Sequence, residues 1–150
     1  MNIALIGFMA SGKSTLAKQM AKNTGRTLIS IDEEIIKEQG ISIDEIFASC
    51  GEKFFRELET LKLEKVLASD DQIIDCGGGA IIYNEDLITT SCYVIFVNTP
   101  FDIIWNRLTN DDKRPLIKGK TREEVKALYD SRVAIYRDAC DEVIDSFILE

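Results

Sequence analysis

The stretch that decides the fold is residues 7–14, which read G-F-M-A-S-G-K-S. It fits the pattern G-x-x-x-x-G-K-[ST], in which backbone N–H groups surround phosphate oxygens and a helix N-terminus adds a favourable dipole. The pattern requires a strand before it and a helix after it. Apolar residues 2–6 and the helical spacing of residues 12–23 meet both requirements. The sequence therefore predicts a phosphate-binding loop for a nucleotide with magnesium.

Within this loop we expect Lys13 to reach the β- and γ-phosphates and the Ser14 hydroxyl to bind magnesium. For Ser11 and Thr15 we predict only that their backbone lines the loop. The alternative interpretation is a glycine turn with an exposed lysine. The predicted nucleotide-binding residues of the loop are Gly7, Ala10, Ser11, Gly12, Lys13, Ser14 and Thr15.

The rest of the chain alternates between apolar strands and amphipathic helices. We predict strands at 2–6, 27–31, 72–76, 92–98 and about 142–144, and helices at 12–23, 32–39, 42–49, 52–68, 99–109 and 121–139. Polar residues 110–120 predict a mobile loop. This alternation is typical of an α/β domain whose parallel sheet is covered on both faces and binds ligands at the carboxyl ends of its strands. A length of 150 residues fits one domain, 1–150.

Composition narrows the classes of function. The net charge of −8 argues against nucleic acid as a partner. The chain has no histidine, so acid–base chemistry at neutral pH falls to carboxylates, lysine or tyrosine. Its four dispersed cysteines predict free thiols in a reducing cytoplasm. No apolar run approaches the roughly 18 residues of a membrane span, and no basic segment precedes the first apolar stretch, so we expect neither a membrane anchor nor a signal peptide.

Acids follow the second strand, at the end of the sheet where the γ-phosphate should lie. Asp32 is positioned to hold an acceptor hydroxyl and take its proton. Glu33 and Glu34 are interpreted as a first helical turn, where acids favour the helix dipole. Further along, Glu59 lies three residues after Arg56, so the two side chains can pair on a helix and fix the guanidinium as a carboxylate receptor.

Three further features belong to the predicted acceptor side. Gly77, Gly78 and Gly79 follow the third strand, where glycines let backbone approach a ligand closely; a tight loop is the alternative. Arg114 lies in the polar loop and is interpreted as a lid arginine for the transferring phosphoryl, or else as a solvated charge. Arg132 lies within the apolar stripe of its helix, which favours an arginine that points into a cleft over one that snorkels to solvent.

Taken in order along the chain, these motifs resemble shikimate kinase. The shared features are the G-F-M-x-S-G-K-S loop, a strand-end aspartate followed by E-E-I, F-R-x-x-E, the triple glycine, R-P-L and R-x-x-x-Y. The resemblance implies a three-layer α/β/α P-loop kinase fold with strand order 2-3-1-4-5, acceptor-binding helices within about 32–60 and a mobile lid at about 110–122. It implies transfer of the γ-phosphoryl of ATP to the 3-hydroxyl of shikimate, in the synthesis of aromatic amino acids. The implied cofactors are ATP and Mg²⁺, and we expect a monomer.

The resemblance also implies residue roles. Asp32 would be the base, Lys13 and Arg114 would stabilise the transferring phosphoryl, and Arg107 would stack on adenine. Arg56 and Arg132 would hold the shikimate carboxylate, with Glu59 orienting Arg56 and the three glycines lining the pocket through their backbone. Two arginines with one evident acid partner agree with an anionic acceptor.

Two departures from the family pattern stand out. The family commonly carries D-x-D at the second strand, where this chain reads Ser30-Ile31-Asp32, so the acid that helps to hold magnesium through water is missing. Asp75, at the end of the third strand, is our candidate replacement, with Asp32 as a second acid near the metal; the alternative is that Asp75 bonds nearby backbone. The sequence also ends before the family's adenine-contacting C-terminal loop, so we expect relaxed nucleotide selectivity.

Two other functions remain open from the residues. Another small-metabolite kinase, such as a gluconate kinase, would use the same phosphate loop but leaves the two arginines less well explained. A nucleotide-binding regulatory module without catalysis would fit Ser30, but not the joint presence of Lys13, Asp32 and Arg114.

Overall fold

A computed structural model describes residues 1–110 and 119–145, in which strands and helices alternate along the chain. The elements in chain order are β1 (Asn2–Ile6), α1 (Lys13–Thr24), β2 (Thr27–Ser30), α2 (Ile31–Gln39), α3 (Ile43–Val66), β3 (Gln72–Asp75), α4 (Ala80–Tyr83), α5 (Glu85–Ser91), β4 (Cys92–Asn98), α6 (Phe101–Thr109), α7 (Arg122–Ala139) and β5 (Glu142–Asp145). No helix in these two ranges is both long enough and apolar enough to cross a membrane.

The five strands form one parallel sheet in the order β2-β3-β1-β4-β5, which confirms the predicted order. Alternate residues of each strand point to opposite faces. Leu5, Ile73 and Ile95 pack on one face with Ala17 of α1, whereas a larger apolar cluster on the other face includes residues of α2, α3 and α7. The sheet is thus the middle of three layers, as the α/β/α prediction requires.

Local signals place most helix ends. The Ser42 and Thr121 hydroxyls accept hydrogen bonds from the backbone N–H three residues on, and Thr121 forms a complete capping box with Glu124. The predicted break at Gly51 is a kink within α3, where φ is 85°. α6 begins at Phe101, two residues after the predicted start at Thr99; Pro100 precedes the first helical residue, and the Thr99 hydroxyl donates to the Ser11 carbonyl at 2.8 Å instead of capping the helix.

The boundaries at the ends of β2 and β3 differ from the prediction by one residue. β2 ends at Ser30, whose hydroxyl accepts a hydrogen bond from the Glu33 N–H at 3.3 Å and caps α2. Sequence analysis also missed α4 and α5, because helices of four and seven residues are too short to show a periodic pattern. Buried Asn84 joins them and accepts a hydrogen bond from the Thr60 hydroxyl at 2.6 Å.

Candidate active site

A cavity of about 1010 Å³ opens at the carboxyl ends of the strands, where ligands of parallel α/β folds bind. It brings together residues from the phosphate loop and from the predicted acceptor side. The predicted residues that line it are Ala10, Ser11, Gly12, Lys13, Ser14, Thr15, Asp32, Arg56, Glu59, Asp75, Gly77, Gly78, Gly79, Arg107 and Arg132. Gly7, the first residue of the loop, is not among the lining residues, and the predicted lid residue Arg114 lies outside the described residues.

The phosphate loop depends on glycine at its first position. Gly7 has a φ of 155°, and a Cβ there would lie 2.7 Å from the Val97 carbonyl oxygen, so a side chain would displace β4 or the loop. Gly12 has a φ of 93° and directly precedes α1, whose N-terminus faces the cavity. Buried Ser11 anchors the loop to the end of β4 through the Thr99 hydroxyl.

The charged groups of the loop are held by backbone or by other side chains. The Lys13 ammonium donates to the carbonyls of Gly7 at 2.9 Å and of Phe8 at 3.1 Å, and only 9% of the residue is exposed. The Arg107 guanidinium, from α6, donates to the Ala10 carbonyl at 2.9 Å. These contacts hold both cations at the phosphate loop, in the part of the cavity where a nucleotide would bind.

Ser14 makes the loop's contact with a strand-end acid. Its hydroxyl donates to Oδ2 of Asp75 at 2.7 Å. Within the described residues no backbone group bonds the Asp75 carboxylate, so this contact replaces the alternative interpretation of a carboxylate bonded to nearby backbone.

Asp32 lies in the first turn of α2, directly beside the glycine run. A Cβ at Gly77 would lie 2.9 Å from Asp32 Oδ1, so glycine is required for this approach. The same oxygen is buried without a hydrogen-bond partner among the described residues. Burial raises the pKa of Asp32, and the charge of Lys13 opposes that rise. The arrangement leaves a carboxylate oxygen ready to accept a hydrogen bond from a ligand.

Arg56 and Glu59 form the predicted pair on α3. Nη1 of Arg56 donates to Oε1 of Glu59 at 3.0 Å, and Glu59 is completely buried. Burial raises the pKa of Glu59, while the charge of Arg56 lowers it. A Cβ at Gly79 would lie 2.5 Å from Nη2 of Arg56, so the third glycine leaves room for the guanidinium.

Sequence reasoning missed two neighbours of Arg56. Glu52 Oε1 lies 3.5 Å from Arg56 Nε, so the count of one acid partner for the two arginines was wrong. The ring of Tyr83 lies 4.4 Å from the guanidinium carbon, and its hydroxyl donates to Glu52 at 3.0 Å. The i, i+4 spacing of Glu52 and Arg56 is a signal that could have identified the acid. Nothing local predicts Tyr83, which reaches the site through the missed helix α4.

Arg132 approaches the same space from α7. Its guanidinium carbon lies 6.0 Å from the centre of the Phe8 ring, and its Nη1 lies 3.5 Å from the position of a Cβ on Gly78. One helical turn later, the Tyr136 hydroxyl donates to the Gly78 carbonyl at 2.6 Å. Burial raises the pKa of Tyr136 to about 12, so this hydroxyl stays protonated and donates at neutral pH. The predicted cleft-facing orientation of Arg132 agrees with its place in the cavity wall.

Comparisons with known proteins agree with this geometry. The family model described as shikimate kinase matches residues 9–148. A shikimate kinase from Persephonella marina is 41% identical over 140 residues, which are 92% of this chain and 85% of that protein. One from Dehalococcoides mccartyi is 37% identical over 147 residues, 97% of this chain and 84% of that protein.

A solved structure has the same fold. Shikimate kinase from Acinetobacter baumannii, in complex with shikimate, superposes with a TM-score of 0.89 at 30% identity, and the match covers 96% of this chain and 82% of that one. The family model and both relatives cover nearly all of the chain, including the phosphate loop from residue 9 onward and the residues around Asp32, Arg56 and Arg132. The chain therefore belongs to the shikimate kinase family.

Proposed function

We propose that this site transfers the γ-phosphoryl group of ATP to the 3-hydroxyl of shikimate, forming shikimate 3-phosphate and ADP. As a member of the shikimate kinase family the chain is an enzyme that uses ATP with Mg²⁺. The observation that carries the proposal is that one cavity joins a phosphate loop to a buried carboxylate and two guanidinium groups. The shikimate complex of the Acinetobacter baumannii enzyme supports the choice of acceptor.

In the proposed reaction, Asp32 accepts the proton of the acceptor hydroxyl. The hydroxyl oxygen forms a bond to the γ-phosphorus, and the bond from that phosphorus to the bridging oxygen of ADP breaks, so that ADP leaves with the electron pair. The unpartnered Oδ1 of Asp32 supports this role. Lys13 stabilises the charge of the transferring phosphoryl from the loop, and Arg107 is proposed to contact adenine.

Arg56 and Arg132 are proposed to hold the carboxylate of the acceptor. Glu59 orients Arg56 from a fully buried position, whereas Glu52 is 54% exposed on its side chain and is screened by solvent. Arg56 is thus paired with a buried acid, whereas Arg132 forms no ion pair with an acid among the described residues and can hold an anionic group of the acceptor. This favours an anionic acceptor over a neutral sugar, and the gluconate kinase alternative has no observation in its favour beyond the shared loop.

The donor set at the phosphate loop fits a magnesium ion. Mg²⁺ prefers oxygen ligands, keeps several waters and is commonly held by one or two carboxylates together with substrate phosphates. Ser14 offers its hydroxyl oxygen, and the buried Asp75 carboxylate accepts a hydrogen bond from that hydroxyl. When bound, the ion neutralises charge that develops on the phosphate oxygens.

One assay separates the three candidate functions. The protein is incubated with ATP and Mg²⁺, and ADP release is measured with shikimate, with gluconate or without acceptor. We expect release that depends on shikimate. Turnover with gluconate alone would identify another small-metabolite kinase, and ATP binding without turnover for any acceptor would favour the regulatory module.

Arg132→Ala tests the assignment of the second arginine. We expect the KM for shikimate to rise about tenfold or more, because a charge-assisted contact of about 1.5–3 kcal/mol is lost. Exposed Arg137 on the same helix supplies the matched control, Arg137→Ala. Unchanged shikimate kinetics in Arg132→Ala would remove this residue from the acceptor site.

We further propose that the chain acts as a monomeric single domain in the cytoplasm. A single chain brings the described site residues together around one cavity, which supports this proposal. The four cysteines are unpaired thiols, which agrees with a reducing compartment that supplies ATP. A mass of 16.9 kDa by light scattering in solution is the expected result; a mass of twice that value would contradict it.

A further inference from the structure

Ser30 and Asp75 occupy paired positions on neighbouring strands. They are opposite each other in the parallel register of β2 and β3. Side chains at such positions point to the same face of the sheet, and the two strands lie about 4.8 Å apart. Alternation along the strands places Asp75 on the same face as Ile73 and Ser30 on the same face as Leu28, and both of these apolar residues pack on the α1 side. An acid at either position would therefore face the first turn of α1.

The first turn of α1 contains Ser14, the hydroxyl ligand that the loop offers to magnesium. Asp75 accepts a hydrogen bond from that hydroxyl at 2.7 Å and is 8% exposed. A hydroxyl that donates a hydrogen bond to a carboxylate keeps its oxygen lone pairs available for a cation. In many phosphate-loop enzymes a strand-end aspartate beside this hydroxyl helps to hold the ion.

Ser30 is used differently. Its hydroxyl accepts the Glu33 N–H and caps the helix that carries Asp32 in its first turn. This uncharged side chain stands where the family pattern leads one to expect the magnesium-side acid. The hydrogen bond from the Glu33 N–H to Ser30 fixes the start of α2. The negative charge of this pair of positions belongs to Asp75 on the neighbouring strand β3.

We infer that Asp75 supplies from β3 the carboxylate that organises the magnesium ion of the nucleotide, and that positions 30 and 75 form one exchangeable acid site across the β2–β3 register. Within the described residues no group of three or more His, Cys, Asp or Glu side chains stands ready to hold a metal. This agrees with an ion held by Ser14, nucleotide phosphates and waters that one acid orients. The inference deepens the proposed function and rests only on the part of it that concerns nucleotide binding, not on the identity of the acceptor.

Calorimetric binding of ADP tests the inference without any acceptor. ADP is titrated into the protein with and without Mg²⁺, and the ratio of the two dissociation constants measures how much the ion tightens binding. The variants are Asp75→Ser, Asp75→Asn, the double exchange Ser30→Asp/Asp75→Ser, and the control Asp86→Ser, which removes one exposed acid from α5. Asparagine keeps the size of the side chain if serine disturbs the fold.

We expect both single Asp75 variants to lower this ratio about tenfold, as loss of a group that orients metal ligands does. The double exchange should recover most of the loss, because aspartate at position 30 faces the same space and can also cap α2. Asp86→Ser should keep the wild-type ratio.

Three results would overturn the inference. A wild-type ratio in both single variants would remove Asp75 from the metal site. An equal loss of ADP affinity with and without Mg²⁺ would make Asp75 a support for the loop alone. A double exchange no better than Asp75→Ser would end the idea of an exchangeable position. Because shikimate takes no part, failure of the acceptor assignment would leave these measurements unchanged and would appear separately in the ADP-release assay.

Discussion

The two halves of the cavity satisfy their polar groups in opposite ways. On the nucleotide side, Lys13 and Arg107 donate to loop carbonyls and Ser14 donates to Asp75. On the acceptor side, three buried atoms have no hydrogen-bond partner among the described residues: Asp32 Oδ1, Glu59 Oε2 and Arg56 Nε, the last of which has only its ion-pair contact with Glu52 at 3.5 Å. The nucleotide half is preformed and internally bonded, whereas the acceptor half holds polar atoms that a ligand can satisfy.

This difference has an energetic consequence. A buried polar atom without a partner costs about 1–3 kcal/mol, which is a noticeable part of the stability of a small domain. Such groups persist where ligand binding or catalysis requires them. We therefore expect changes in the nucleotide half to affect the transfer step, and changes in the acceptor half to affect acceptor affinity and stability, except around Asp32, where they also affect the transfer step.

The largest expected effect comes from Lys13→Met, which keeps the aliphatic stem and removes the ammonium. Loss of one preorganised cation from a phosphoryl-transfer site should lower kcat by about 10²–10³. Exposed Lys18, on the same helix, supplies the control Lys18→Met. Steady-state ADP release measures both. A kcat within a factor of two or so of wild type in Lys13→Met would show that the loop acts without this side chain.

Substitutions at Gly77 and Gly79 should separate effects on catalysis from effects on acceptor binding. Alanine at 77 would place its Cβ 2.9 Å from the Asp32 carboxylate, and alanine at 79 would place it 2.5 Å from the Arg56 guanidinium. Both obstacles are ends of side chains, so we expect both variants to fold with the side chain displaced. Gly77→Ala should mainly lower kcat, and Gly79→Ala should raise the shikimate KM about 10–100-fold.

Gly78→Ala is the matched comparison for these two variants. The nearest atom to its Cβ would be Nη1 of Arg132 at 3.5 Å, an ordinary contact, so its effect on either constant should be smaller. If Gly79→Ala and Gly78→Ala changed KM equally, the assigned position of Arg56 would not control acceptor binding. Equal effects of Gly77→Ala and Gly79→Ala on kcat would show that the two roles are not separable.

The two halves also differ in how much of them the sequence predicts. The phosphate loop is predictable because eight contiguous residues build it, and the Arg56–Glu59 pair is predictable because three residues separate its members on one helix. The five strands follow from apolar runs. Tyr83 is not predictable, because it reaches Arg56 through a helix of four residues. The capping role of Ser30 also escapes prediction, since a serine at a strand end fits the last strand position and the helix cap equally well.

Tyr136→Phe tests the link between α7 and the glycine run. The fully buried hydroxyl donates to the Gly78 carbonyl, and its loss should cost about 1–2 kcal/mol, or about 3–6 °C in Tm. The control is Tyr93→Phe, whose partly exposed hydroxyl lies 3.5 Å from Glu142 and should contribute little. Thermal melts give both values. Equal melting temperatures for wild type and Tyr136→Phe would mean that this hydrogen bond does not stabilise the glycine run.

The smallest expected effect is a gain in stability from removing the proposed base. Burial raises the pKa of Asp32, so the folded chain holds this proton more tightly than the unfolded chain, whose aspartates titrate near about 3.9. Below that value both states are protonated and the carboxyl costs nothing. As the pH rises through the window up to the raised folded pKa, the free energy of unfolding falls, because the charge must be buried. Above the folded pKa the whole penalty is present.

Asp32→Asn should therefore abolish turnover and yet melt at a higher temperature than wild type at pH 7. The difference should close as the pH falls below about 4. Asp86→Asn is the control of opposite sign, since it removes an exposed acid from the first turn of α5, where the helix dipole favours negative charge. If Asp32→Asn melts at or below the wild-type temperature at pH 7, attraction to Lys13 and Arg56 outweighs burial. The acceptor half would then be as well satisfied without ligand as the nucleotide half.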